Sequence, residues 1–286
     1  MDLLSPTLSR PRPFVRETGD GPLVICLHAS TSSSKQWMAL MARLDSEGYR
    51  VLAPDLCAQG KTAWRGASSN ALESDAGLVE SIAGGEAAHV VGHSYGGAVA
   101  LEYAMRHPRR VRSLALYEPA AWQLVMDSPA DPRDRDVFEV GSRIVSLVGD
   151  GRPSDAARAF VDYWNGAGGW EAMAPFHQER VCAQMPQVVA HFTALFSNPA
   201  SLQSYSTLGM PALLMSGRTG PGCGQRTAEL LARAMPRATS RRFALLGHMG
   251  PVTSPDEVNE AVSDFLPAPN GPMRRGSVAR APARCV

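Results

Sequence analysis

Gly92-His93-Ser94-Tyr95-Gly96 is the short stretch of this chain whose residue types and spacing suggest a reactive centre. It follows the apolar run 89–91 and precedes a helical pattern over 98–107 that Pro108 closes. A serine with glycine two residues away on each side, between a strand and a helix, fits a sharp strand-to-helix turn. Glycine at 92 and 96 lets that turn close without side-chain collision. The Ser94 hydroxyl then stands above the sheet edge. The Tyr95 N–H, at the start of the helix, faces any oxyanion formed at that serine. The five-residue pattern alone is weak evidence, and its strand–turn–helix setting is what makes it informative.

A serine hydroxyl is a poor nucleophile at neutral pH and needs a base. Among seven histidines, His248 is the best placed. It follows the last expected strand (240–246), at the carboxyl end of the sheet, where ligands bind in open α/β folds. His93 must point away from Ser94 and reads as packing. His28 reads as a brace of its own loop. His177 and His191 fall in helical stretches and read as surface or lining residues.

A third group should orient the imidazole and stabilise its charged form. The loop after the next-to-last strand, 216–224, holds no carboxylate. Glu118 in Leu116-Tyr117-Glu118-Pro119 follows the strand before it, next to the strand of the serine. The chain order Ser94, Glu118, His248 suits such a triad. The other reading of Glu118 is a solvated charge at a strand end. A second backbone donor is expected from Ser30 in His28-Ala29-Ser30, though Ala29 has less backbone freedom than a glycine there. Asp55 reads as a loop cap. Trp37, Trp164 and Met249 are expected to line a substrate pocket, with Met126 and Trp170 as further apolar candidates.

These residues need a scaffold. Apolar runs at 23–27, 49–53, 89–91, 111–116, 211–215 and 240–246 read as strands. Helical patterns lie between them at 72–82, 98–107 and 226–234, and at Trp37, Leu40, Met41 and Leu44, spaced i, i+3, i+4, i+7. Such alternation predicts the α/β class with a doubly wound, mostly parallel sheet. The interval 121–205 breaks the rhythm. It carries helical stretches at 137–148, 156–164 and 179–196 and no convincing strand, so it reads as an inserted all-α cap. The expected core is 1–120 with 206–266. The segment 267–286 is rich in proline and arginine without periodicity and reads as disordered.

Composition narrows the function further. The chain has 286 residues, 44% hydrophobic and 19% charged, ample for a sizeable core. Lys and Arg number 28 against 27 Asp and Glu. Bulk charge therefore excludes a nucleic-acid partner. The tail arginines Arg274, Arg275, Arg280 and Arg284 read as a solvated end. No apolar run reaches the ~18 residues of a membrane span, and the start lacks a signal-peptide pattern. The five cysteines (Cys26, Cys57, Cys182, Cys223 and Cys285) are widely spaced with no CxxC. That argues against a zinc site or disulfide framework and for a reducing, cytoplasmic compartment.

Taken in order, Leu27-His28-Ala29-Ser30, Ala53-Pro54-Asp55-Leu56, Val91-Gly92-His93-Ser94-Tyr95-Gly96-Gly97 and Gly247-His248-Met249 resemble the α/β-hydrolase fold superfamily over 23–266. The resemblance implies a hydrolase without cofactor or metal, acting on a small molecule beneath a helical cap. The loop 28–37 and the position of Glu118 look like the haloalkane-dehalogenase branch, some of which places the triad acid at this strand. That branch uses an aspartate nucleophile where this chain has Ser94, and holds halide where it has Ser30 and Tyr95. Dehalogenation and epoxide opening both require the carboxylate. What remains is a carboxylesterase-like serine hydrolase for a small, largely apolar ester. The alternatives are carbon–carbon hydrolysis of ring-cleavage products and non-catalytic small-molecule binding.

Overall fold

The computed structural model describes residues 13–63, 68–126 and 136–269. In chain order the elements are β1 (Val15–Thr18), β2 (Leu23–Leu27), α1 (Met38–Ser46) entered through a 3-10 turn at Ser34–Trp37, β3 (Arg50–Pro54), α2 (Ala71–Ala83), β4 (Ala88–His93), α3 (Tyr95–Arg106) and β5 (Val111–Tyr117). The insertion follows, with α4 (Gln123–Met126), α5 (Asp136–Gly149), α6 (Pro153–Asn165), α7 (Pro175–Phe196) and α8 (Leu202–Tyr205). The chain then returns through β6 (Ala212–Gly217), α9 (Gly222–Ala234), β7 (Ala238–Phe243), α10 (Gly250–Thr253) and α11 (Pro255–Phe265).

The strands form one sheet in the order β1-β3-β2-β4-β5-β6-β7. Every pairing is parallel except β1 with β3. The expected doubly wound, mostly parallel sheet and the all-helical insertion between β5 and β6 are both present.

Strand periodicity sorts the apolar residues onto two faces. Leu23, Ile25, Leu27, Val90, Leu114, Leu116 and Leu214 pack with α2, α3, α9 and the inserted helices in one cluster. Val24, Cys26, Val91, Ala115, Tyr117, Leu213 and Met215 pack with α1 and α11 in the other. Both faces are covered, which is why these runs read as continuous apolar segments. Each fully buried aliphatic side chain contributes roughly 1.5–3 kcal/mol.

Besides the short helices α4, α8 and α10, three elements differ from the sequence expectation. β1, Val-Arg-Glu-Thr, is a partly solvated edge with one aliphatic residue, and gave no apolar signal. β7 lies at Ala238–Phe243 rather than 240–246, because it is an exposed edge rich in polar residues and the apolar Leu245-Leu246 pair belongs to the following loop. α11 was missed, although its Val258, Ala261 and Val262 close the second cluster. The expected disordered tail lies, from residue 270 on, outside the described residues. No described helix is long and apolar enough to cross a membrane.

Candidate active site

Ser94 ends β4 and precedes α3 with φ 53° and ψ −118°, a strained backbone for a residue with a Cβ. The turn survives because its neighbours are glycines. A Cβ on Gly92 would come within 2.7 Å of the Gly97 Cα, and one on Gly96 would collide with the Leu27 carbonyl. The Ser94 N–H donates to the Tyr117 carbonyl (3.0 Å), and its own carbonyl accepts from Gly97 and Ala98. The hydroxyl is thus presented above the sheet.

Glu118 ends the adjacent β5 with φ 41° and is 1% exposed. Its Oε1 accepts the Gly217 N–H at the end of β6 (2.9 Å). Its Oε2 accepts from His248 Nδ1 (2.7 Å), and His248 Nε2 accepts the Ser94 hydroxyl (3.0 Å). Gly224 in the first turn of α9 leaves the room this carboxylate occupies, since a Cβ there would collide with Oε2. Serine, imidazole and carboxylate, 130 or more residues apart at the histidine links, form one buried hydrogen-bonded line.

The loop carrying His248 is pinned from below. His93, just before the serine, donates from Nε2 to the His248 carbonyl (2.8 Å) while its Nδ1 accepts from Gln36 (3.1 Å). Burial holds this imidazole neutral, with its pKa well below the usual value. Tyr117, just before the glutamate, donates its hydroxyl to the Gly247 carbonyl (2.7 Å). Each strand end therefore holds the histidine loop twice: His93 and Tyr117 on the carbonyls of His248 and Gly247, and Ser94 and Glu118 on the two ring nitrogens of His248. The sequence expectation of His93 is packing, and Tyr117 carries no motif that marks it. Strand alternation places both on one face, and that was the available signal.

The insertion closes over the other side. Trp164 of α6 stacks on the His248 ring, centroids 3.9 Å apart and planes at 28°. His191 of α7 stacks on Tyr95 at 3.6 Å and 11°, and shares a hydrogen bond with the Ser30 hydroxyl (2.8 Å). The Tyr95 hydroxyl donates to buried Asp75 (2.8 Å), whose pKa burial raises to about 6. Neither the Ser30 nor the Tyr95 backbone N–H donates to an acceptor among the described residues. Ala29 is accommodated because the left-handed turn of this loop falls on Thr31 instead.

One expected pocket residue is misplaced. Trp37 is 1% exposed and packs with Leu40, Met41 and Leu44 in the α1–α11 cluster, on the opposite face of the sheet from the insertion. Its helical spacing was the signature of core, and core is where it sits. Met249 is half-buried beside His248. Trp170 is buried within the insertion's cluster, and Met126 is 39% exposed. His28 braces its loop, donating from Nδ1 to the Ala29 carbonyl and accepting the Leu56 N–H on Nε2. Asp55 accepts the N–H groups of Ser34 and Lys61 (both 2.7 Å). Among the described residues no cluster of three or more His, Cys, Asp or Glu is arranged to hold a metal ion.

The sequence profile of the alpha/beta hydrolase fold matches residues 22–255. The chain belongs to this family. A relative from Agrobacterium fabrum, provisionally named the carbamate hydrolase RutD, is 24% identical over 263 residues, covering 88% of this α/β-hydrolase and 95% of that protein. The structure of a thermophilic esterase from Thermogutta terrifontis matches with a TM-score of 0.68 at 23% identity, covering 88% and 92% of the two chains. The 2-hydroxy-6-oxo-6-phenylhexa-2,4-dienoate hydrolase BphD from Rhodococcus matches at 0.67 and 18%, covering 88% and 94%. At these identities the solved structures speak for the fold of this α/β-hydrolase.

Proposed function

We propose that this α/β-hydrolase is a serine hydrolase that cleaves a small, largely apolar ester-like substrate through an acyl-enzyme. The observation that supports the reading is the unbroken line from the Ser94 hydroxyl through His248 to Glu118 and the Gly217 N–H. Ser94 attacks the substrate carbonyl while His248 Nε2 takes its proton. The N–H groups of Ser30 and Tyr95 receive the oxyanion. His248 then protonates the leaving group. A water molecule, activated by the same imidazole, releases the acid and restores the serine.

The imidazolium formed on the way is supported from two directions. Glu118 meets its Nδ1 edge and Trp164 covers its face, a cation–π contact of about 0.5–2 kcal/mol. The same indole, with Trp122 and Phe192 packed behind it, gives the site its apolar wall. Carbamates present the same carbonyl to the same nucleophile, and the relative named for that activity places them beside esters in a substrate panel. Stoichiometric labelling by a fluorophosphonate probe, abolished in Ser94→Ala, is the expected result. Undiminished labelling in that variant overturns the reading.

A further inference from the structure

His191 belongs to the inserted helix α7, yet it is 1% exposed and reaches the two residues assigned to the oxyanion. Its Nε2 faces the Gln187 amide nitrogen one helical turn earlier (3.1 Å). An amide nitrogen only donates, so the proton of the neutral ring resides on Nδ1. Nδ1–H therefore donates to the Ser30 Oγ at 2.8 Å. Burial keeps the ring neutral, its pKa lowered to about 3. The stack on Tyr95, itself tethered through Asp75 to the Cys57 N–H, fixes the plane of the ring.

A serine hydroxyl owns one hydrogen and two lone pairs. With His191 filling a lone pair, the hydrogen of Ser30 is free to point elsewhere, and no acceptor among the described residues takes it. Its Oγ sits on the same residue as one proposed oxyanion N–H, and its partner ring lies flat on the phenol side chain of the residue that supplies the other.

We propose that His191 is a positioning residue that turns the Ser30 hydroxyl, so that its O–H joins the Ser30 and Tyr95 N–H groups as a third donor to the oxyanion formed at Ser94. The proposal rests on the serine-hydrolase reading. It also gives the insertion a share in the chemistry, because a helix outside the sheet sets the direction of a donor on the β2 loop. A hydroxyl rotor without this partner would spend its hydrogen on any nearby acceptor or water.

The test compares Ser30→Ala, His191→Phe, their double variant and His191→Asn in steady-state ester hydrolysis. Ser30→Ala and His191→Phe are each expected to lower kcat by about 10²-fold with KM nearly unchanged, the loss typical of one oxyanion donor. The double variant should be no slower than either single one, because both remove the same donor. His191→Asn places an amide N–H near the Nδ1 position and should restore most of the rate. Full kcat in Ser30→Ala, or a further loss on adding His191→Phe to it, overturns the inference. The nitrogen-15 NMR spectrum of the wild-type protein should show His191 protonated on Nδ1, and protonation on Nε2 likewise overturns it. Wild-type protein that takes up no fluorophosphonate sinks the serine-hydrolase reading instead, and the spectrum still judges the hydrogen-bond chain.

Discussion

The ends of β4 and β5 solve the same problem in opposite ways. Each presents a polar side chain from a residue with positive φ, Ser94 at 53° and Glu118 at 41°. Around Ser94 the room is made locally, by Gly92 and Gly96 two residues away on either side. Around Glu118 it is made at a distance, by the Gly217 N–H and the bare Gly224, both about a hundred residues on. A turn that carries its own requirements leaves a short sequence motif. A seat assembled from three segments leaves none.

Replacing the acid probes this contrast hardest. Glu118→Gln keeps the shape but cannot enforce the Nδ1-protonated tautomer, and kcat should fall by as much as about 10⁴-fold with the fold intact. Gly220 lies across the histidine loop, where a Cβ would rest 3.5 Å from the His248 N. Because Gly220 has φ 92°, an aspartate there strains the backbone, so adding Gly220→Asp to Glu118→Gln should return only a small part of that rate in the same assay. If Glu118→Gln is fully active, the acid seat is decorative and the two strand ends are not equivalent.

A smaller contrast comes from the glycines. In Gly92→Ala the new methyl meets backbone, which cannot step aside, so thermal stability should drop by about 1–3 kcal/mol along with activity. In Gly224→Ala it meets the Glu118 side chain, which can. Melting should change little there, while displacement of the carboxylate by about an ångström costs about 10²-fold in kcat. Equal melting losses in the two variants would erase the distinction between a local and an assembled seat.

That distinction also explains what the sequence revealed. The parallel sheet and the insertion are legible because apolar periodicity encodes them within short windows; the proposed Ser94 rests on one glycine-serine pattern and the proposed His248 on its place after the last strand. The proposal of Glu118 rests on elimination, from the loop 216–224 lacking an acid. The His93 and Tyr117 tethers required knowing which face each strand residue takes. His191 was beyond reach, since nothing in helix 175–196 announces which side descends onto Tyr95. Trp37 carries both signals: its place after the loop 28–36 suggests a pocket, but its i, i+3, i+4, i+7 spacing with Leu40, Met41 and Leu44 signals core, and the core is where it sits.

A further contrast concerns pH. The serine's surroundings are rich in buried imidazoles, with burial lowering His28 from 6.5 to about 4 and His191 to about 3. His89, on the strand of the serine, is likewise lowered to about 4. These rings stay neutral in the folded protein while the unfolded chain protonates near 6.5. Stability is therefore complete above that pH and declines as pH falls toward 4. Asp75, raised to about 6, acts in the opposite direction over the same window and blunts the decline. Melting curves from pH 7 to 4 should show a net fall, shallower in His28→Asn. A flat profile would mean that the serine side is no more acid-sensitive than the rest.

Finally, the pairing of β4 with β5 sets His93 opposite Tyr117, so Ser94 and Glu118 leave the sheet at the same height. A slip of one residue between these two strands would bring Tyr117 level with the serine and turn the carboxylate to the wrong face. Such a molecule would still bury most of its interior, yet it would lack the hydrogen-bonded line on which the proposed chemistry rests. On the proposed mechanism, turnover would double as a proofreading signal for strand alignment, reporting on how faithfully each chain has folded.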